Sequence, residues 1–287
     1  MPTTDAIDTG VASGELYENI SMAAQYTFQE NAMLRNLVTM YDMTGTPGLT
    51  ASIPVWPAAT AVTALAAGTD LSNDSAMASV TAVDITAAEY GNMSTIQDIV
   101  VEASPSDVGA DVGRQLGGAL AAAMDTSVTG LFGSFTTDVG LAGDEVTVET
   151  LMKAAATLRN NSVPMQGLVA VLHPFQAFNL KKGLLNAGGT FGASPDAANN
   201  AAREYFIGRI AGIDVYESAS PTIDAGDDAV GAVFHPAAIG MALKRDIRIA
   251  LQRDESLRGF EVVASAAWGA GIIDNAKGVK ITGDAAL

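Results

Sequence analysis

The chain contains no cysteine, only two histidines, and 15 lysines and arginines against 32 aspartates and glutamates in 287 residues. Without cysteine there is no disulfide framework, no thiolate metal site and no thiol nucleophile. So few cations and a net charge of −17 argue against a non-specific nucleic-acid binder, which needs a clustered basic surface to neutralise phosphates. Charged residues are also scarce, at 16% against the roughly 25% usual for soluble proteins. That scarcity points to surface covered by other subunits or by long interlocking segments, or simply to an Ala- and Gly-rich globular protein. Long apolar runs are missing too. The most membrane-like stretch, Ala58–Ala67, is short and interrupted by Thr60 and Thr63, and Met1-Pro2-Thr3-Thr4-Asp5 lacks a basic, apolar leader. The expectation is a protein made and kept in a cytoplasm, with no membrane partner.

Motifs that carry chemistry are equally thin. His173 and His235 each precede a proline at the end of an apolar stretch. A general base needs an orienting carboxylate, and a metal site needs further ligands; neither H-x-x-x-H nor H-E-x-x-H occurs. Both rings are therefore expected to bond backbone at strand–helix junctions, and an α+β hydrolase or binding domain using His173 and His235 is the alternative. Gly269-Ala270-Gly271 lacks the third glycine of a dinucleotide fingerprint, and Gly188-Gly189-Thr190-Phe191-Gly192 lacks the Lys-Ser/Thr of a phosphate loop. Asp224, Asp227 and Asp228 lack calcium-loop spacing and read as a solvated turn. No Gly-x-Ser-x-Gly elbow occurs. The reading is a structural protein with no catalytic residue, no cofactor and no metal.

What is present is architectural. Residues 1–14 are small and acidic, and Leu16–Tyr41 carries helix-like apolar spacing. Gly45-Thr46-Pro47-Gly48 is a turn, and Pro54 and Pro57 restrict Leu49–Trp56 to an edge strand or an arm. Ser79–Tyr90 alternates as a strand, so the two form a long hairpin across the small, polar residues 58–77. Ser104-Pro105-Ser106-Asp107 opens a helix, and apolar residues then recur every four positions from Val108 to Phe132. Beyond it lie a helix over Val148–Arg159, a strand over Leu168–Leu172, a helix over Phe175–Leu185 and a Gly- and Asn-rich loop, Asn186–Asn200. Strands follow over Ile210–Glu217, Ala229–His235 and Val262–Ile273.

Charge is segregated along the chain. Residues 1–100 hold one basic residue, Arg35, against eleven acids, whereas Lys244, Arg245, Arg248, Arg253 and Arg258 crowd into fifteen positions. An acidic arm and hairpin, with Asp70 and Asp74 near its tip, would be steered onto that basic stretch of a neighbour. Ile53, Val55 and Trp56 on the proline-stiffened strand are the apolar anchors of the same interface.

The last third carries a resemblance. Gly212, Val215 and Tyr216 lie in one strand, and Ala232, Phe234, His235, Ala238 and Ile239 follow. Trp268, Gly269 and Gly271 come next, and Gly278, Val279 and Ile281 close the series. In this order the pieces resemble the C-terminal part of phage major capsid proteins of the Hong Kong 97-type fold. Asp125, in Ala121-x-x-x-Asp125, matches that family's pattern in its long helix.

The resemblance implies an α+β fold with an N-terminal arm (1–43), an extended β-hairpin loop (44–90) and a peripheral domain (91–144) holding a spine helix (105–132). An axial-type domain (145–255) and returning peripheral and axial strands (256–287) would complete it. It implies a subunit that self-assembles into hexamers and pentamers of an icosahedral shell and encloses double-stranded DNA of a tailed phage without sequence-specific binding. Its place would be the virion, after assembly in the host cytoplasm. The implied partners are other copies, a separate scaffolding protein and a portal, with a decoration protein compatible. A cellular nanocompartment (encapsulin-like) shell is the alternative within the same fold. Some members of the family weld their subunits through a lysine on the extended loop; here the first lysine is Lys153, so that weld is not expected.

Overall fold

Helix α1 (Thr9–Asn31) sets Ile20, Ala24 and Phe28 one turn apart on one face, and all three are fully buried. The computed structural model describes residues 9–57, 64, 67, 68, 70, 80–103, 108–186 and 206–286. The helix stops well before Tyr41, where the apolar spacing had carried it. Leu34–Leu37 forms a single 3-10 turn, and β1 (Thr39–Asp42) is drawn into parallel pairing with the much later strand Ile239–Asp254. Tertiary pairing overrides the local helical pattern there.

Among the described residues strands β2 (Thr50–Val55) and β3 (Thr81–Thr86) pair only with each other, as a two-stranded ribbon. The strand expected over 79–90 is divided at Ala87, whose N–H donates to the Leu49 carbonyl at 2.8 Å. Beyond that break β4 (Ala88–Gln97) enters a different sheet, and a short helix α2 (Asp98–Ala103) ends it.

The long helix α3 (Val108–Thr129) buries Leu116, Leu120, Met124 and Val128. Its expected cap at 104–107 lies outside the described residues. It also ends at Thr129, short of Phe132, because the backbone tightens into three-residue turns. Leu131 N–H donates to Val128 O at 3.1 Å and Phe135 N–H to Phe132 O at 3.2 Å. That tightening swings Phe132 and Phe135 into the core. Two glycines govern what packs on α3. A Cβ at Gly113 would stand 2.6 Å from the Ile20 carbonyl oxygen, and one at Gly117 would stand 2.3 Å from that of Ala24. Helix α1 therefore rests on α3 backbone to backbone.

Helix α4 (Val148–Asn160) starts on a reciprocal Thr147–Thr150 capping box, and β5 (Val169–Leu172) and α5 (Pro174–Asn186) follow almost where the sequence puts them. The expected strand 210–217 is instead a hairpin, β6 (Phe206–Ile210) and β7 (Ile213–Glu217). It turns at Ala211 and Gly212, with φ of 53° and 85°. The chain closes with β8 (Asp228–Phe234), β9 (Ile239–Asp254), β10 (Gly259–Ile272) and β11 (Gly278–Asp284).

The larger sheets run β1-β9-β10-β4 and β11-β8-β5-β7-β6. In the first, Val262, Ala264, Ala266 and Trp268 of β10 point to the core shared with α1 and α3. In the second, Val169, Val171, Ala232 and Phe234 join that same core, while Ala170, Leu172, Val215 and Val233 alternate into a second core under α4 and α5. Both faces of β5 and β8 are covered, which is why they read as unbroken apolar runs.

Candidate assembly interface

The β2–β3 ribbon packs against β9 and β10. Ile53 and Ile85 pack there with Met43 and Ala242 in a small separate cluster. The turn that feeds it has left-handed glycines, Gly45 (φ 79°) and Gly48 (φ 95°), and Lys244 Nζ donates to the carbonyl oxygens of Met43 and Thr46. Pro54 sits opposite Ala82 in a ribbon with no third strand, where a missing N–H breaks no further ladder. The three expected apolar anchors thus differ. Ile53 belongs to the subunit's own core, Val55 is half-buried, and Trp56 is 64% exposed. Asp70 is exposed, and Asp74 lies outside the described residues.

The basic stretch is strand β9 and the turn after it, and much of its charge is met within the subunit. Antiparallel registers place β10 between β9 and β4, bringing residues far apart in sequence side by side. Arg245 pairs with Glu89. Arg253 donates from both terminal nitrogens to Asp98 at 2.8 Å each, and also pairs with Glu255 at 3.3 Å. Asp98 holds the Arg253 guanidinium above its usual range, and the same group lies 4.7 Å over the Phe260 ring. Arg248 and Arg258 are exposed and make no ion pair among the described residues. These are the two arginines of the stretch that no acid among the described residues answers.

One apolar surface escaped the sequence reading. Ile99, Val100 and Val101 of α2 are 64%, 47% and 43% exposed. They sit beside the β9–β10 turn, where Asp98 N–H donates to Arg258 O at 3.0 Å and Leu257 is also open. The available signal was three consecutive apolar residues between Asp98 and Glu102, too short to show a period.

The histidine alternative fails on geometry. His173 Nδ1 accepts the Phe175 N–H at 3.3 Å, and His235 Nδ1 accepts the Ala237 N–H at 3.2 Å. Burial pushes the His173 pKa down. Each ring follows the last residue of its strand, and β5 runs antiparallel to β8 with Val169 opposite Phe234. The two rings therefore lie at opposite ends of the pair, on the order of 10 Å or more apart, and share no site. The Asp224 cluster is a turn. Asp224 Oδ1 accepts from Gly226 N–H (2.7 Å) and Asp228 N–H (3.0 Å), while Asp228 Oδ1 accepts from Gly143 N–H (2.7 Å). Among the described residues no group of three or more histidines and acids could hold a metal ion, and no helix is long and apolar enough to cross a membrane.

No family model matches the sequence. No curated protein matches it either. Solved structures do match it. A structure from Mycobacterium phage Che8 superimposes with a TM-score of 0.69 at 23% identity, covering 87% of this chain and 90% of its own. The capsid structure of the cyanophage P-SCSP1u gives 0.67 at 17% identity, covering 88% of each chain. The fold is the Hong Kong 97-type capsid fold. A virus-like particle from Pyrococcus furiosus is also similar, with a TM-score of 0.60 at 10% identity over 92% of this chain and 98% of its own. Within the capsid fold α3 is the long helix and β4-β10-β9 the sheet that it covers.

Proposed function

We propose that the chain is a major capsid protein, a coat subunit that self-assembles into hexamers and pentamers of an icosahedral shell around the double-stranded DNA of a tailed phage. The observation that carries this reading is the near full-length likeness to phage capsid structures. An exposed Trp56 just beyond the end of the β2–β3 ribbon supports it further. In this reading residues 1–43 are the arm, 44–90 the extended loop, 91–144 the peripheral domain and 145–255 the axial-type domain, with 256–287 returning to both. The interface is carried by Trp56 and Val55, by the acidic loop with Asp70 and Asp74, and by the open Arg248 and Arg258. A separate scaffolding protein and a portal belong to the same proposal, and a decoration protein is compatible with it. Its place is the virion.

Electron microscopy of the purified recombinant protein tests the class: closed shells or capsomers are expected, and a dispersed monomer at high concentration would reject it. The likeness to the Pyrococcus furiosus particle supports a second reading, a cellular nanocompartment shell of the same fold. Particles isolated from the native source distinguish the two, since the first reading requires DNA inside and the second a protein cargo.

Trp56 gives a direct mutational test. Aromatic anchors at interface centres typically contribute ~2 kcal/mol or more. Trp56→Ala is therefore expected to raise the concentration needed for assembly at least tenfold while leaving the circular dichroism of the subunit unchanged. Lost secondary structure would instead assign Trp56 to the subunit's own fold.

A further inference from the structure

Asp125 lies in the middle of α3, yet it is only 5% exposed. Ala121, Val128 and Thr129, one turn away on the helix, and the adjacent Met124 are buried as well. Its Oδ1 accepts the Leu34 N–H at 3.1 Å, across 91 residues of sequence. Leu34 opens the 3-10 turn that follows α1, and the N-cap residue of that turn, Met33, supplies no side-chain acceptor of its own. Asp125 supplies the missing cap from another element. The joint between the N-terminal segment and the long helix is thus made of two glycine seats, three buried apolar residues and one carboxylate.

We propose that Asp125 is a proton-operated latch for the N-terminal segment, holding α1 and the 3-10 turn firmly on α3 when it is neutral and loosely when it is ionised. The argument is first one of surroundings. An ionised carboxylate removed from water needs a cation or several donors to offset its lost hydration. Among the described residues no cation serves Asp125. Arg35 of the 3-10 turn pairs with Asp246 of β9, and Arg114 pairs with Asp111 further along α3. On β4, Glu89 is held by Arg245 and Tyr90 stacks on Trp268. On β10, Glu261 precedes the inward Val262 and so lies on the far face. Helix α1 adds Glu15, Glu18 and Glu30 and no basic residue.

What opposes ionisation is burial, and what favours it is the backbone N–H groups of Leu34 and Met33. Burial wins, and the carboxyl is pushed up to about 6 from the ordinary 3.8. If the segment lifts away, Asp125 returns to water and to its ordinary range. A raised pKa in the docked state means that docking is strongest below the free value and is lost as pH rises through about 6. By that linkage the docking constant falls roughly tenfold between pH 5 and pH 8. The latch belongs to the folded subunit and does not rest on the capsid reading.

Hydrogen exchange of the full chain at pH 5 and pH 8, corrected for intrinsic exchange rates, tests the latch on the amides of residues 20–31. The expected result is about tenfold greater protection at pH 5 in the native protein. Asp125→Asn keeps an oxygen for the Leu34 N–H and carries no charge, so its protection should be the same at both pH values. Amides of β9 and β10 serve as the control and should not follow the change. Should the asparagine variant not fold, Asp125→Ser takes its place. Equal protection of α1 at both pH values in the native protein overturns the proposal, as does an unchanged pH dependence in either variant. A parallel shift in the β9 and β10 amides also overturns it, because it would mean global unfolding and not release of one segment.

Discussion

Replacing Gly117 with leucine will drive α1 off the long helix. The first atom of the new side chain would stand 2.3 Å from the Ala24 carbonyl oxygen, with the Ala24 carbonyl carbon and Cα at 3.0 Å, and all three belong to backbone. No rotamer relieves such an overlap, so one helix must move away. Ile20, Ala24 and Phe28, all fully buried, then lose their cover. At ~1.5–3 kcal/mol for each large side chain, the expected loss is about 5 kcal/mol. Chemical denaturation should give that loss, and trypsin should cut at Arg35 in the variant under conditions that leave the native chain intact. Gly118, one residue on, has only the ends of the Asn31 and Thr27 side chains within reach, at 3.8 and 3.9 Å. Gly118→Ala should be neutral or stabilise by up to about 1 kcal/mol, since alanine is the better helix former, and a comparable loss at Gly118 would mean that the close seat at Gly117 is not what decides.

The second large effect lies at another contact of α3. Trp268 is fully buried, stacks on Tyr90 with ring centroids 4.1 Å apart, and donates its indole N–H to Ser127 Oγ at 3.1 Å. It joins β10, β4 and α3 at one point. Trp268→Ala should cost about 3–5 kcal/mol, the range for emptying a large aromatic site in a core. Trp268→Phe keeps the stacking and loses the indole bond, so about 1 kcal/mol is expected. Ser127 stays satisfied in both variants, because its hydroxyl donates to the Ala123 carbonyl at 2.8 Å. Equilibrium unfolding in urea reads both. A loss below 1 kcal/mol for the alanine variant would show that sheet and helix do not depend on this contact.

The elements that the sequence reveals are those whose pattern is local. Helix α4, strand β5 and helix α5 match their expected limits to within a residue or so, because a capping threonine, a compact apolar run and a proline mark their ends. The ribbon strands are legible through Pro54 and the alternation of Val83 and Ile85. Strand β9, the longest among the described residues at 16 residues, shows in the sequence as a cluster of charge. Its Ile247, Ile249 and Leu251 do alternate, but five basic residues in and just beyond it draw the eye to electrostatics. β1 was absorbed into a helix because its partner lies some 200 residues away. The interface was legible to the same degree. Positive charge on β9 is visible in the sequence, but the acids that answer it are not. Glu89 and Asp98 reach Arg245 and Arg253 only through the registers of β4, β10 and β9. The two arginines left open emerge only after that subtraction.

The β9–β10 hairpin has a mechanical consequence. At ~3.4 Å per residue the 14 residues of β10 reach about 48 Å, and β9 returns alongside to a closed turn at its tip. Tension between tip and base is borne by two covalent backbones, and the hydrogen-bond ladder is not stretched by it. A force across the strands meets only that ladder and the packing of α3. The subunit is therefore stiff along its length and compliant across it, like a plank with grain, and its orientation in a wall would decide in which direction that wall can flex.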